Sequence, residues 1–176
     1  NFDTTTIPSG EPLWCADSQL ETDIPVSFPS TYIENISERI TLYRELDTQR
    51  NENELAEYKK RLIDRFGPLP DEAEELMNVV RLRWLCCKMG IEKIFLKREQ
   101  MTIYFTMRSP NYWHSDIFNQ IMNFALSRLN RCRLVEEKDK KTQKVSKRYI
   151  TIQQVRTIAG AMNILSKIER GDIQNG

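Results

Sequence analysis

Four cysteines, Cys15, Cys86, Cys87 and Cys132, and one histidine, His114, are the residues best suited to nucleophilic, redox or soft-metal chemistry. Their spacing supports none of it. No C-x-x-C pair occurs, and no cysteine stands at zinc-site spacing from the histidine. Cys86 and Cys87 are adjacent within a helical pattern, where free cysteine packs as a small hydrophobe; a vicinal redox pair is the rarer alternative. His114 is flanked by Trp113 and Ser115, which build neither a metal cluster nor a Cys/His dyad, so it reads as a surface or capping residue. The six glycines are scattered, at positions 10, 67, 90, 160, 171 and 176. A phosphate-binding loop needs them clustered, so that backbone N–H groups can approach the phosphate. The sequence holds no G-x-S-x-G, H-E-x-x-H or protein-kinase signature. Glu74 and Glu75 fall at a helix start, where they are solvated charge rather than the acid/base pair of a glycosidase. No active site, metal or cofactor is expected in this chain.

Two charged features remain. Residues 128–148 hold nine basic residues against three acids, with Tyr149 alongside. A basic hairpin of this kind could contact nucleic acid through Arg131, Arg133, Lys138, Lys140, Lys141, Lys144, Lys147 and Arg148. The competing reading is a solubilised loop with edge-protecting lysines, since one aromatic only is interleaved. The second feature is the helix expected after Asn51. At ~100° per residue its apolar stripe centres near Leu55, Leu62 and Phe66. Asp64 then points almost directly away, Glu57 and Arg61 lie near the same outer face, and Arg65 flanks it. Glu57 and Arg61 have i,i+4 spacing, an ion pair worth ~0.2–0.5 kcal/mol on a helix surface.

The elements that carry these residues follow from punctuation and period. The 176 residues carry 26 Lys and Arg against 25 Asp and Glu, with 40% hydrophobic content. That balance suits a folded domain and argues against a whole-domain nucleic-acid binder. No run of residues is apolar enough to span a membrane, and no leader pattern opens the chain. The first 38 residues contain seven acids and no Lys or Arg, and are broken by Pro8, Pro12, Pro25 and Pro29. They predict an arm or linker over 1–17 and an extended edge segment over 18–28, with one domain over 18–176. A first helix follows from about 35, with Ile36, Ile40, Tyr43 and Leu46 at helical spacing. Asn51 caps a second, with Glu54 in capping-box position, and Gly67, Pro68 and Pro70 end it. A third covers about 71–89, its first turn crowded with acids. Period-2 alternation then predicts a hairpin over 93–106 around a polar turn at Arg98-Glu99-Gln100. A helix over 113–129 and a second strand pair over 132–137 and 146–152 come next. Thr151 and Gln154 have capping-box spacing and are expected to open a last helix, closed by Gly171. The fold class is α+β: an antiparallel sheet built from hairpins, packed with about five helices. Reduced cysteines fit a cytoplasmic setting.

Several ordered runs resemble one family. These are Glu52-Asn53-Glu54-Leu55 and Leu62-Ile63-Asp64-Arg65-Phe66-Gly67-Pro68-Leu69-Pro70. Around them lie Ile24-Pro25, Tyr32-Ile33, Arg39-Ile40-Thr41-Leu42-Tyr43-Arg44, Arg81-Leu82-Arg83 and Met89-Gly90-Ile91. Together they resemble the C-terminal regulatory (TRCF) domain of the bacterial transcription-repair coupling factors (Mfd), over about residues 18–170. The resemblance implies a parent that is an ATP-dependent DNA translocase, with ATP and Mg in its motor, acting in nucleotide excision repair. Such a parent displaces stalled RNA polymerase and recruits UvrA. It further implies that this domain docks on the N-terminal UvrB-like module of the same chain, as a monomer, masking UvrA recruitment and restraining the motor. Asp64 and Arg65 match the family's docking face. Position 61, commonly acidic in the family, is Arg61 here. Either the partner surface has changed sign locally or Glu57 takes the anionic role.

Overall fold

Turn chemistry and alternation organise one part of the chain, helical stripes the other. The computed structural model describes residues 13–172. It divides into two compact units, one formed by the segments up to Ile24 and from Arg83 onward, the other by Pro25–Leu82. As far as position 12, the arm expected over 1–17 lies outside the described residues. Trp14 and Cys15 both donate their N–H groups to the Cys87 carbonyl, at 3.0 and 3.4 Å.

In chain order the elements are β1 (Gln19–Thr22), α1 (Ile36–Asp47), α2 (Glu52–Phe66), α3 (Asp71–Met89), β2 (Ile91–Lys97), β3 (Gln100–Phe105), α4 (Asp116–Leu126), β4 (Cys132–Lys138), β5 (Val145–Gln153) and α5 (Ile158–Glu169). The first unit is built on a five-stranded sheet of order β1-β2-β3-β5-β4. Both expected hairpins are present, β2 with β3 and β4 with β5, and β3 joins them by pairing antiparallel with β5. The sheet is mixed rather than wholly antiparallel, because β1 lies parallel to β2. Parallel pairing requires a long crossover, and the helices between β1 and β2 supply one. The β2–β3 turn is closed by Arg98 and Glu99, both at positive φ (53° and 61°). Two such residues make the turn whose twist matches a hairpin. Neither is Gly or Asn, and the Arg98 N–H is held by Asp23 Oδ2 at 2.9 Å.

Alternation sends Ile94, Leu96, Met101, Ile103, Phe105, Ile150 and Ile152 into the core. Phe118 of α4 meets Phe105 edge-on at 5.4 Å. The helix expected over 113–129 is shorter. A 3₁₀ turn, Pro110–His114, precedes it, Ser115 Oγ caps α4 by accepting the Phe118 N–H at 3.2 Å, and Leu129 is left 69% exposed beyond its end. The last helix also begins later. Thr151 lies in β5 opposite Thr102, Gln154 turns the chain at φ 62°, and Thr157 Oγ1 caps α5 by accepting the Gly160 N–H at 2.8 Å. Strand pairing won over the capping-box spacing, because Thr151 closes a ladder on both its neighbours.

In the second unit Asn35 and Asn51 cap α1 and α2 as side-chain acceptors. Glu54 returns its bond to the Arg50 N–H at 3.1 Å, one residue earlier than the box places it. Leu55, Tyr58 and Leu62 are buried as the stripe requires. In α1 the inward residues are Leu42 and Leu46, while Ile36 and Ile40 are 66% and 46% exposed. Ile36 and Leu42 are roughly 120° apart on a helix and cannot share one narrow face. Tyr58 settles the choice, donating its hydroxyl to the Leu42 carbonyl at 2.6 Å, and Tyr43 turns to Phe28 at 5.0 Å. No helix among the described residues is long and apolar enough to cross a membrane.

Candidate docking surface

The charged face of α2 is positioned from both ends. Asn51 Oδ1 accepts the Glu54 N–H at 2.9 Å at its start. At its end Gly67 adopts φ 90°, and the Tyr32 hydroxyl donates to the Gly67 carbonyl at 2.7 Å. The Tyr32 ring also meets Phe66 at 5.7 Å. The D-R-F-G end of the helix is thereby tied to Tyr32 of its own unit.

Cross-helix ion pairs then sort the four expected site residues into two groups. Arg61 donates to Glu45 Oε1 at 2.8 Å, and Arg65 pairs with Glu38, so both arginines lean toward α1. Arg65 also lies over the Phe66 ring at 4.9 Å, and Arg61 at 5.8 Å from the Tyr58 centroid. The Glu57–Arg61 pair allowed by spacing is not formed, because Glu45 offers Arg61 a partner on the neighbouring helix. Such exposed pairs contribute about 0.2–1 kcal/mol each.

Glu57 and Asp64 are exposed and have neither hydrogen bond nor ion pair among the described residues. Being seven residues apart, they lie within ~20° of the same azimuth and about 10 Å apart along α2. Between them Lys60 is exposed and likewise unpaired. Sequence reading missed Lys60, although the helical wheel puts it beside both carboxylates. The result is an outward ridge of ready charges, two acids flanking one lysine, backed by arginines already engaged.

On the opposite side α2 is braced by two further pairs. Lys59 Nζ meets Glu74 at 2.8 Å, and Arg81 grips both oxygens of Glu52, at 2.6 and 2.9 Å. That fork holds the Glu52 carboxyl below the ordinary carboxylate range.

Among the described residues no cluster of three or more His, Cys, Asp or Glu could hold a metal ion. The cysteines are unpaired, and burial pushes the Cys15 thiol up to about 12 and that of Cys87 up to about 11. Cys86 and Cys132 are shifted upward for the same reason. Cys86 and Cys87 are both buried, as packing residues are. His114 is exposed.

Taken together, these features define an α+β domain that displays a charged helical ridge. Comparison with known proteins places it. The family model described as the TRCF domain matches residues 22–113, more than half of the chain, and the chain belongs to that family. It is 39% identical over 87 residues to the transcription-repair-coupling factor of Escherichia coli K12, which covers 49% of this chain and 8% of that protein. To the transcription-repair-coupling factor of Rickettsia prowazekii it is 31% identical over 102 residues, 58% of this chain and 9% of the relative. The chain thus spans less than a tenth of these curated relatives. Its fold is that of the solved C-terminal domain of a transcription-repair coupling factor, with a TM-score of 0.61, 18% identity and coverage of 89% and 93% of the two chains.

Proposed function

We propose that this chain is the regulatory interaction domain of a transcription-repair coupling factor and has no chemistry of its own. Its α2 ridge docks on the N-terminal UvrB-like module of the same parent. Docking masks the surface that would recruit UvrA and restrains an ATP-driven DNA translocase that acts on stalled RNA polymerase. The parent works in the cytoplasm.

One observation carries the reading: Glu57 and Asp64 are exposed carboxylates with no ion-pair partner, on a helix face capped at both ends. Unpaired surface acids are available to cations on a partner, and charge complementarity supplies specificity and on-rate more than affinity. A weak contact suffices here, because a tethered partner is present at high effective concentration. Release can then follow from a modest competing interaction, as a switch requires. With Arg61 and Arg65 engaged by α1, the anionic role falls to Glu57 and Asp64.

The test is Asp64→Ala in the full-length parent, with UvrA affinity as the readout. Losing a docking charge, worth ~2–5 kcal/mol if it is desolvated at the interface, raises UvrA binding. Unchanged affinity in this variant and in Glu57→Ala would refute the docking role.

A further inference from the structure

The outer face of the sheet brings together aromatic residues that are far apart in sequence. Tyr104 of β3 stands opposite Tyr149 of β5, and their rings lie 4.8 Å apart at 40°. Phe95 of β2 meets Tyr104 edge-on at 5.7 Å. The three rings are only half-buried, whereas the inward side chains of the same strands are buried. Phe95 is already covered, with Lys93 and Lys97 at 4.5 and 5.3 Å from its centroid. No cation lies over Tyr104 or Tyr149 among the described residues, so the tyrosine pair is the open part of the platform.

Beside it is a concavity of about 390 Å³, lined by Tyr149, Val135 and Thr151 of the sheet, by Leu129, and by Arg131 and Arg133. Arg131 donates to the carbonyls of Gln153 and Gln154 at 2.7 and 3.0 Å, so its charge is held in place but not neutralised. Arg133 and Lys147 are exposed without a carboxylate partner, and register puts both on the tyrosine side of the β4–β5 hairpin. The β4–β5 loop continues the positive charge with Lys140, Lys141 and Lys144. Opposing it on this face are Glu21, which is paired with Lys93 and Lys97, and Glu137, which accepts the Tyr149 hydroxyl at 3.2 Å.

We infer that this face binds single-stranded nucleic acid, with bases stacked on Tyr104 and Tyr149 and the phosphates running past Arg133, Arg131 and Lys147. Two features select this occupant. The carboxylates of an acidic peptide would meet the cations but are repelled by the electron-rich ring faces, whereas unpaired bases stack on those faces while their phosphates meet the cations. A duplex keeps its bases stacked on one another, and a flat sheet face reads only bases that are free. The basic hairpin seen in the sequence carries the phosphate half of the site. The aromatic half comes from β3 and β5 pairing. The site lies in the first unit and is independent of the α2 docking reading.

The experiment uses the 176-residue chain and a fluorescein-labelled short oligothymidylate, read by anisotropy across a salt series. Binding at low salt, weakening as salt rises, is expected. Tyr104→Leu with Tyr149→Leu should weaken it about tenfold or more while leaving the salt slope unchanged. Tyr149→Leu alone serves where melting shows the double variant unfolded. Arg133→Gln with Lys147→Gln should instead reduce the slope by ~1.4, at about 0.7 per phosphate contact on a single strand. Glu137→Gln should tighten binding. The proposal is overturned if the oligonucleotide is not bound at low salt, if the leucine variants bind unchanged, or if duplex DNA or polyglutamate binds as tightly.

Discussion

Arg61 donates to Glu45 Oε1 at 2.8 Å across the α1–α2 pair, and this bond decides which charges α2 can offer to anything else. With Arg61 and Arg65 both turned to α1, the outward ridge is left to Glu57, Lys60 and Asp64. Of the four charged residues expected on this face, α1 engages the two arginines and leaves the two carboxylates without an ion pair.

Because Glu57 and Asp64 have no partner, replacing them should leave the fold unaffected. Glu57→Ala and Asp64→Ala are each expected within about 0.5 kcal/mol of the parent chain in urea unfolding. A loss well beyond that would mean the carboxylates serve their own domain, and the docking role would fall. Arg61→Ala, by contrast, should cost about 0.2–1 kcal/mol by freeing Glu45.

Gly90 is a second sharp test. It sits at φ 75°, and a Cβ there would lie 2.1 Å from Cε1 of the Tyr112 ring. Tyr112 cannot step aside, being fully buried with its hydroxyl donated to the Met89 carbonyl at 2.6 Å. Gly90→Ala therefore combines left-handed backbone strain with overpacking, and a loss above about 2 kcal/mol is expected. Thermal melting checks it. Gly67→Ala, at φ 90° with nothing near the added methyl, should show the strain component alone.

The Arg81–Glu52 fork gives a pH signature. Its folded carboxyl titrates below the ordinary glutamate range, so its contribution is complete above that range and lost as pH falls through the lower, folded value. Glu52 is largely exposed, and the pair is worth at most about 1 kcal/mol. Arg81→Met should lower Tm at neutral pH, and the gap to the parent chain should close in strong acid. A gap that widens on acidification would contradict this.

The thiols should be slow. With Cys15 pushed up to about 12 and Cys87 up to about 11 by burial, and Cys86 and Cys132 also raised, none is a thiolate at neutral pH. Ellman's reagent is expected to label them slowly in the native chain and promptly in denaturant. A fast native phase would reveal a reactive cysteine.

Some of this was settled by local chemistry. Asn51 and Gly67 bracket α2 because one accepts a helix-start N–H and the other takes a left-handed angle. Period-2 runs became β2 and β3, and the azimuth of Asp64 was arithmetic from Leu55 and Leu62. The helices α4 and α5 start later than spacing places them, because a 3₁₀ turn over Pro110–His114 precedes the Ser115 cap and ladder formation claims Thr151. The direction of β1, the exposure of Ile36 and Ile40, the recruitment of Arg61 by Glu45 and the meeting of Tyr104 with Tyr149 were decided only by tertiary structure. Each depends on a partner distant in sequence. Spacing along the chain fixes which face a side chain takes, whereas its neighbour across an interface depends on how separate elements pack.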